Sequence, residues 1–579
     1  MRVSSAYVLT LTGFALFGLA SLSAADGAGE HWAYRVPVRT PPPAVTNQLW
    51  IRSPIDRFIL SRLEAEAITP SPEATRSTLI RRLSLDLTGV IPTPRTIRKL
   101  LGSSRADRRE RVVDQLLESP GYAAHWSIFW GDLLRERVNI EGAQYNQFRR
   151  WIHQSLTDNL PYDQFVREMI SGDGPVNESN GGLNFILRDC ANPEMLTVAT
   201  TQIFLGTHMK CAQCHDHPFD VWEQRDFMGM AGFWRGTSMV ATHQDSYTDA
   251  RGREQKITYY GIAGGQGGGG RFLTDATSSS GSGRHALAEL ICSDKNPYFA
   301  RVAVNRLWAK LMGRGLVHPV DDFKLNNPAS HPQLLDWLAI ELINSDYDLK
   351  HILRLIATSN TYQLSSRDKP RYLAGIPLTS LNHKQLEAIN THYQDSIAST
   401  EASKQFSLFE AMPLRRMNAE QLYDSLLRTT GLYKLPEEVP LLGNRYTFYR
   451  VRRDLPPYPP SLLVPAPHGG FMRVFDAHSR EVIYHRKNEA TIPQVLELLN
   501  GKFIHAILDH NDHPVRQWLG QDWPKGKILE ELYLATLTRP PTSREQKMIH
   551  RFLGTGNSFK KWVDVHWAII NSREFMFIQ

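Results

Sequence analysis

The chain has 579 residues, of which 42% are hydrophobic and 22% are charged, with a formal net charge of +7. This length predicts more than one domain, and the composition excludes a disordered or collagen-like chain. The basic residues occur as scattered pairs among acidic residues, as at Arg81-Arg82, Arg149-Arg150 and Arg415-Arg416. A nucleic-acid binder would show a concentrated basic stripe, so we interpret these pairs as solvated helix faces and expect no nucleic-acid partner.

Residues 1–25 have the layout of an export signal. Arg2 supplies a positive charge, residues 6–22 form an apolar run, and small residues at 23–25 precede Asp26. A membrane anchor retained in the mature protein is the alternative, but the run is short and is interrupted by polar residues and glycine. No later segment reaches 18 uninterrupted apolar residues. We therefore expect a secreted or periplasmic protein of the cell envelope, with no stable membrane insertion after signal cleavage.

Helical spacing dominates the first half of the mature chain. A proline-rich extended arm, residues 26–49, precedes a helix that should begin at Ser53-Pro54, because serine caps helices and proline suits the first helical position. The next helix, at about 76–87, should stop at Gly89. Further helices are predicted at 107–118, 120–136, 145–158, from Pro161 onward, and at 194–205. This pattern predicts a helical domain over residues 50–237.

The stretch 208–220 carries the strongest chemical signal. Cys211, Cys214 and His215 have the spacing C-x-x-C-H, in which two thiols can bond to the vinyl groups of a haem while the next imidazole ligates the iron. The sequence therefore predicts a covalent haem c with His215 as proximal ligand. The sixth ligand stays open among His208, Met209, Met228, Met230 and His243.

Two other interpretations of the same stretch stay open. His215 and His217, with Asp216 or Asp220, could form a mononuclear zinc, iron or copper site. Alternatively, Cys211 and Cys214 could form a disulfide. The other two cysteines, Cys190 and Cys292, have no pairing that the sequence alone can fix.

The second half again shows helical spacing. Residues 238–283, rich in glycine and serine, are predicted to form a linker or long surface loop. Residues 284–579 are predicted to form a second helical domain, interrupted by an irregular proline-rich loop at 434–470. Its helices are predicted at 286–292, 296–312, 332–344, 349–359, from Asn418 to Gly431, at 492–510, 525–537, 543–553 and 558–571.

Short motifs follow one another in a characteristic order along residues 32–577. The first half contains Ile55-Asp-Arg-Phe58, Leu79-Ile-Arg-Arg-Leu83, Asp86-Leu-Thr-Gly89, Pro161-Tyr-Asp163, Gly172-Asp173 and Cys211-Ala-Gln-Cys-His-Asp-His-Pro218. The second half contains Asn296-Pro297, Asn305-Arg-Leu-Trp308, Gly313-Arg-Gly-Leu-Val317, Asp321-Asp-Phe323, His331-Pro332, Leu335-Asp-Trp-Leu338, Ser359, Tyr362, Arg415-Arg416, Ala419-Glu420 and Asn571-Ser-Arg-Glu-Phe575. In these motifs the chain resembles the planctomycete cytochrome-like secreted proteins, which are built from two consecutive domains of unknown function.

The resemblance also bears on the polar residues of the second half. They could line a cleft shared with the Cys-His stretch, but we interpret them as helix caps and ion pairs. They are Asn305, Arg306, Asp321, Asp322 and His331.

Together these patterns predict an all-α protein of two mainly helical domains with long proline-rich loops. The favoured function is a covalent haem protein acting in electron transfer or haem-dependent oxidation, with an exported redox partner protein. One alternative is a metal-dependent hydrolase or oxidase using His215 and His217, and another is a non-catalytic binding or scaffold protein at the cell surface. The sequence does not decide whether the protein is an enzyme.

Overall fold

A computed structural model describes residues 32–102, 105, 107–136, 145–177, 179–248, 252–265, 269–274, 276–278, 283–366, 408–433, 471–477, 480–481, 483 and 491–579. The predicted export signal and the proline-rich stretch 434–470 lie outside these residues. The described chain is mainly helical with only small sheets, which confirms the predicted fold class. Within the described ranges, no helix is both long enough and apolar enough to cross a membrane.

Ten helices occur ahead of residue 237 in the part of the chain that the structure describes. In order they are α1 Pro54–Ala65, α2 Arg76–Thr88, α3 Pro94–Leu101, α4 Arg108–Leu117, α5 Pro120–Leu133, α6 Tyr145–Thr157, α7 Tyr162–Ser171, α8 Asn184–Leu187, α9 Pro193–Leu205 and α10 Gln224–Gly232. Seven of them were predicted within a few residues. The short helices α3 and α8 were not predicted.

The helices after residue 282 likewise follow the predicted series. They are α11 Gly283–Ile291, α12 Phe299–Met312, α13 Pro332–Asn344, α14 Leu349–Thr358, α15 Ala419–Thr429, α16 Phe471–Val474, α17 Ile492–Asn500, α18 Lys502–Leu508, α19 Pro514–Gly520, α20 Lys525–Leu537, α21 Ser543–Leu553, α22 Phe559–Ile570 and α23 Arg573–Met576. The single helix predicted at 492–510 is divided in two at Gly501, and the short helices α16, α19 and α23 were not predicted.

Local capping chemistry explains where the predicted helices begin and end. Ser53 and Asp56 form a capping box at the start of α1, in which the amide of Ser53 donates to the carboxylate of Asp56 at 2.9 Å. Thr542 and Glu545 do the same for α21. At the end of α2, Gly89 adopts φ of 74°, a left-handed conformation that a residue with a side chain rarely tolerates.

A long β-hairpin occupies much of the segment 238–283, where an irregular connection was predicted. Strands β2 Thr237–Thr248 and β3 Glu254–Gly264 pair antiparallel, and the short strand β1 Gly174–Pro175 pairs with the other edge of β3. The hairpin side chains of β2 near Met239 and Val240 are largely exposed. Because neither face is buried throughout, the alternation that marks a half-buried strand is weak in the sequence.

Two hydrophobic cores share one helix. The larger core extends along the chain from Ala33 to Met412, and the smaller one combines residues 417–578 with Leu85 and Ile91. Helix α2 directs Leu83 and Leu87 into the larger core and Leu85 into the smaller one. The two-stranded sheet of β4 Arg415–Arg416 and β5 Phe577–Ile578 lies in the same region.

The basic pair Arg81-Arg82 on α2 is buried, which corrects the prediction of a solvated helix face. Arg82 is 0% exposed and donates to the backbone carbonyls of Tyr362, Leu364 and Gln579. Arg81 donates to the carbonyls of Thr536 and Phe575. Burial lowers the pKa of both guanidinium groups to about 10, so they stay charged at neutral pH. We call α2 and these partners the arginine junction.

Arg415, from the pair Arg415-Arg416 that was also predicted to lie on the surface, belongs to this junction as well. Asp86 of α2 accepts hydrogen bonds at 3.0 and 2.7 Å from Arg415, and one at 2.7 Å from the hydroxyl of Tyr362. All three groups are buried or nearly so. The arginine pairs therefore tie segments that are hundreds of residues apart in sequence, a task for which a planar guanidinium with five donors is well suited.

Candidate functional site

The Cys-His loop, residues 207–223, connects α9 to α10. Helix α9 ends at Gly206, whose φ of 61° turns the chain sharply away from the helix axis. The carbonyl of Gly206 accepts a hydrogen bond of 2.9 Å from the amide of Phe323 in the second half of the chain. A Cβ at Gly206 would lie only 2.7 Å from the Phe323 ring, so glycine permits this close approach. The loop therefore starts at a fixed point between the two halves.

The underside of the loop is packed into the larger core. Met209 and Ala212 are 0% exposed and Trp222 is 4% exposed. The amide of His217 donates to the carbonyl of Trp222 at 2.8 Å, which closes the loop upon itself. From the first turn of α10, the Gln224 side-chain amide donates to the carbonyl of Cys214 at 3.2 Å. These contacts hold the backbone that carries the two cysteines.

Aromatic side chains of the N-terminal arm hold the loop from one side. Tyr34 lies against Trp222 with ring centroids 5.5 Å apart, and against Tyr298 of the second half at 5.7 Å. Burial raises the pKa of the Tyr34 hydroxyl above its ordinary value, so it stays protonated. Nearby, Trp32 stacks on Phe323. The predicted arm is thus a packed part of the site.

The side chains of the C-x-x-C-H motif face solvent. Cys211 and Cys214 are exposed, and neither forms a disulfide. Cys190, which is exposed, and Cys292, which is buried, are also free thiols. Residues 211–213 form a short 3₁₀ turn, which is followed by Cys214 and the exposed ring of His215. Two accessible thiols separated by one turn, with an imidazole directly after them, are the donor set that covalent haem attachment requires.

The orientation of His215 favours one of its two ring nitrogens as a ligand. Its Nδ1 lies 2.7 Å from the backbone carbonyl of Asp216, which can only accept a hydrogen bond. Nδ1 therefore carries the proton, and Nε2 keeps a free lone pair directed away from that carbonyl. Histidine ligands of metals are commonly oriented in this way by a backbone acceptor.

The other predicted ligands are engaged with the backbone. Asp216 accepts from the amide of Gln224 at 2.9 Å, at the start of α10, and Asp220 accepts from the amide of Val221 at 2.8 Å. His217 accepts from the amide of Phe219 through Nδ1 at 3.2 Å. Its neutral ring then carries the proton on Nε2, the opposite tautomer to that of His215.

These roles bear on the mononuclear metal hypothesis. Within the described ranges, no group of three or more His, Cys, Asp and Glu side chains is arranged to hold a metal ion. Asp216 and Asp220 each use one carboxylate oxygen to accept a backbone amide, so their second oxygens are the ones that could bind zinc, iron or copper together with His215 and His217. That hypothesis stays a prediction.

Asp321, in the second half of the chain, contacts the loop through His208. Asp321, which is 2% exposed, lies 3.5 Å from Nε2 of His208 and accepts a hydrogen bond of 2.8 Å from Gln202. The contact with Asp321 raises the pKa of His208, since the carboxylate favours the protonated imidazole. Buried Arg306 donates to the carbonyl of Gln202 beside this pair.

The remaining polar residues singled out in the second half do not join the loop. Asn305 fastens the carbonyls of Val317 and Val320, and Asp322 pairs with Lys324 at 2.8 Å. His331 lines a separate cavity at the start of α13. For Asn305 and Asp322, the interpretation as structural polar residues agrees with the contacts that the structure gives them.

Among the candidate sixth ligands, burial separates two groups. Met209 and Met230 are 0% exposed within the larger core, where they pack as apolar side chains. Met228 is 41% exposed, and His208 is engaged with Asp321. His243 lies on the hairpin, where it pairs with Asp245 at 2.7 Å.

Sequence reasoning missed the residues that support the loop. Gln224 was missed because no sequence pattern marks the contact of its side chain with the carbonyl of Cys214. Tyr34 and Tyr298 carry no local signal, because both lie far from the cysteines in sequence. Asp321, by contrast, was among the polar residues that the sequence analysis considered for a shared cleft, and it contacts His208 of the loop. Phe219 and Val221 were also missed as an apolar rim, and they are 80% and 49% exposed.

Comparison with known families assigns both halves of the chain. Residues 54–239 match the family model PSCyt2, described as a protein of unknown function (DUF1549). Residues 283–553 match the model PSD1, described as a protein of unknown function (DUF1553). The Cys-His loop falls in the first of these and Asp321 in the second. No curated protein and no solved structure matches the chain.

Proposed function

Because the chain carries a PSCyt2 domain followed by a PSD1 domain, we propose that it is an exported cytochrome-like protein with one covalent haem c. Cys211 and Cys214 would form the two thioether bonds, and Nε2 of His215 would be the proximal ligand. When bound, the haem would supply one-electron chemistry, in electron transfer to an exported partner or in a haem-dependent oxidation.

The observation that carries the proposal is the orientation of His215. Its Nδ1–H donates to the carbonyl of Asp216, so the nitrogen that must face an iron is the one left unprotonated. A histidine whose Nδ1 were an acceptor, as in His217, would have to change tautomer before ligating through Nε2. The loop thus already holds the right tautomer at the position that the motif requires.

The packing of the loop supports the same proposal. Buried Ala212 and Trp222 hold the backbone, so the thiols of Cys211 and Cys214 are presented to solvent from a fixed turn. Phe219 and Val221 of the same loop also expose apolar side chains, which a bound ring could contact.

Attachment can be tested with single cysteine variants made in a host competent in cytochrome maturation. We expect the wild-type protein to keep a peroxidase-active band on a denaturing gel and Cys214→Ser to lose its covalent band. Cys190→Ser is the matched control, since Cys190 is also exposed and unpaired, and it should keep the band. Absence of the band from the wild-type protein would defeat the proposal.

The same preparations distinguish the metal alternative. A mononuclear hydrolase or oxidase would hold stoichiometric zinc, iron or copper by elemental analysis and would lose it in His217→Ala. Under the haem proposal, His217→Ala keeps the covalent band, because His217 has the unsuitable tautomer and only accepts a hydrogen bond from Phe219. Export is tested by sequencing the N-terminus of the purified mature protein, which should lack residues 1–25.

A further inference from the structure

Helix α21, Ser543–Leu553, presents an apolar pair on its outer face. Ile549 and Leu553 are buried in the smaller core, whereas Met548 and Phe552 are 62% and 50% exposed. The two exposed side chains are four residues apart, so they are neighbours on one side of the helix. Single apolar side chains on a surface need no explanation, so the charge around this pair decides what it indicates.

Exposed basic side chains surround the pair. They lie on the same helix within one turn of it, and they are Arg544, Lys547 and Arg551. The one acid of the helix, Glu545, forms an ion pair at 2.9 Å with Arg539, which precedes the helix. The outer face of α21 therefore combines exposed apolar groups with positive charge.

The two neighbouring helices bring further cations to the end of α21. Lys525 of α20 donates to the backbone carbonyl of Gly554 at 2.7 Å, and Lys561 of α22 donates to that of Leu553 at 2.9 Å. Helix α22 also carries one exposed acid, Asp564, but its two lysines leave it with one net positive charge. The apolar pair is thus bordered by cations along the helix and at its end.

A second exposed apolar helix face, on α17, lacks this charge. Ile492 and Leu496 are 76% and 54% exposed and are also four residues apart. Helix α17 contains no lysine or arginine and carries Glu497. The basic border therefore distinguishes α21 from a helix with an equally exposed apolar pair.

We propose that α21 lies against the surface of an anionic lipid bilayer. Met548 and Phe552 enter the boundary between headgroups and acyl chains, and the surrounding cations contact the lipid phosphates. Exposed apolar side chains with a lysine and arginine border are the pattern of interfacial membrane binding. The two side chains project from the outer side of a helix, a shape that suits a bilayer interface. This surface is independent of the haem proposal.

Binding can be measured by co-sedimentation of the purified mature protein with lipid vesicles. One set contains phosphatidylcholine alone, and the other contains equal parts of phosphatidylcholine and phosphatidylglycerol. We expect binding to the anionic vesicles to be about tenfold tighter or more, because each cation near an anionic surface adds to the attraction. The preference should weaken as the salt concentration rises.

A charge variant tests the basic border. Lys547→Gln with Arg551→Gln should weaken binding to the anionic vesicles about tenfold or more. The matched control is Arg95→Gln with Lys99→Gln on α3, which removes the same charge at the same spacing from a helix with no large exposed apolar side chain. Equal losses in the two double variants would show that only net charge matters and would overturn the proposal.

An apolar variant separates a lipid surface from an acidic polypeptide. Met548→Ser with Phe552→Ser should weaken binding to the anionic vesicles about tenfold, whereas Ile492→Ser with Leu496→Ser on α17 should keep wild-type binding. Wild-type binding in the α21 variant, or equal binding of the wild-type protein to both kinds of vesicle, would overturn the proposal. Binding of soluble polyglutamate as tightly as anionic vesicles would assign the surface to an acidic polypeptide instead.

Discussion

The Cys-His loop and the arginine junction use polar residues in opposite ways. In the loop, Cys211, Cys214 and His215 are exposed, while Ala212 and Trp222 of the same loop are buried. The two thiols form no disulfide. In the junction, Arg82 and Asp86 are buried, and every contact described above joins distant parts of the chain. Both regions are marked in the sequence by short motifs of polar or reactive residues. The difference teaches that a side chain can bind a ligand only if it is exposed and has a free lone pair. A buried polar side chain whose hydrogen bonds are already formed indicates a structural role.

The largest effect is expected at the junction. Arg82→Met keeps the length of the side chain but leaves the carbonyls of Tyr362, Leu364 and Gln579 without their donor. We expect the free energy of unfolding to fall by about 3–5 kcal/mol, as for other broken buried polar networks. Urea unfolding measures it, with Arg76→Met on the exposed first turn of α2 as the control, which should change stability by less than about 0.5 kcal/mol. Equal effects would contradict a structural role for Arg82.

A decrease in pH should lower the stability of the smaller core, because that core contains a buried pair of histidines. His513 Nε2 lies 2.9 Å from His566 Nδ1, and both rings are at most 1% exposed. Burial lowers the pKa of His513 to about 4 and that of His566 well below its ordinary value. Below about pH 6.5 these histidines therefore bind protons in the unfolded chain but not in the folded chain. The free energy of unfolding falls as the pH decreases from there toward about pH 4.

For His513 alone this loss is about 3 kcal/mol at pH 4. Thermal unfolding followed from pH 7 to pH 4 measures it. The double variant His513→Gln, His566→Gln should show a flatter decline, and His505→Gln, which alters an exposed ring, should keep the wild-type slope. The same decline in the double variant would show that other groups control acid unfolding.

A smaller effect is expected where the loop itself has a structural polar group. Asp216→Ala removes the acceptor for the amide of Gln224 at the start of α10. We expect a loss of about 1 kcal/mol, typical of a helix cap, with haem attachment unchanged because the backbone carbonyl that orients His215 is retained. Chemical unfolding and the peroxidase-active band are the two measurements. Loss of the band without loss of stability would contradict a purely structural role for Asp216.

Sequence patterns predicted the helices because their signals are local. Ser53-Pro54, Gly89 and Thr542 act within one turn, and the structure confirms the helix ends that they mark. The hairpin of β2 and β3 was not predicted, because its exposed faces leave little alternation in hydrophobicity.

Part of the candidate site could likewise be predicted from local sequence, and part could not. C-x-x-C-H identified Cys211, Cys214 and His215 from spacing alone. The tautomer of His215, the contact of Asp321 with His208 and the burial of Arg82 depend on groups brought together by tertiary packing. No window of neighbouring residues contains that information, which is why the arginine pairs were interpreted as surface charge.

The most direct test of the central claim is the optical spectrum of the purified, reduced protein from a host that attaches haem c. The account predicts a sharp haem band that persists after denaturation in the wild type and is lost from the protein fraction when Cys211 and Cys214 are both replaced by alanine. A colourless wild-type protein from such a host would contradict it.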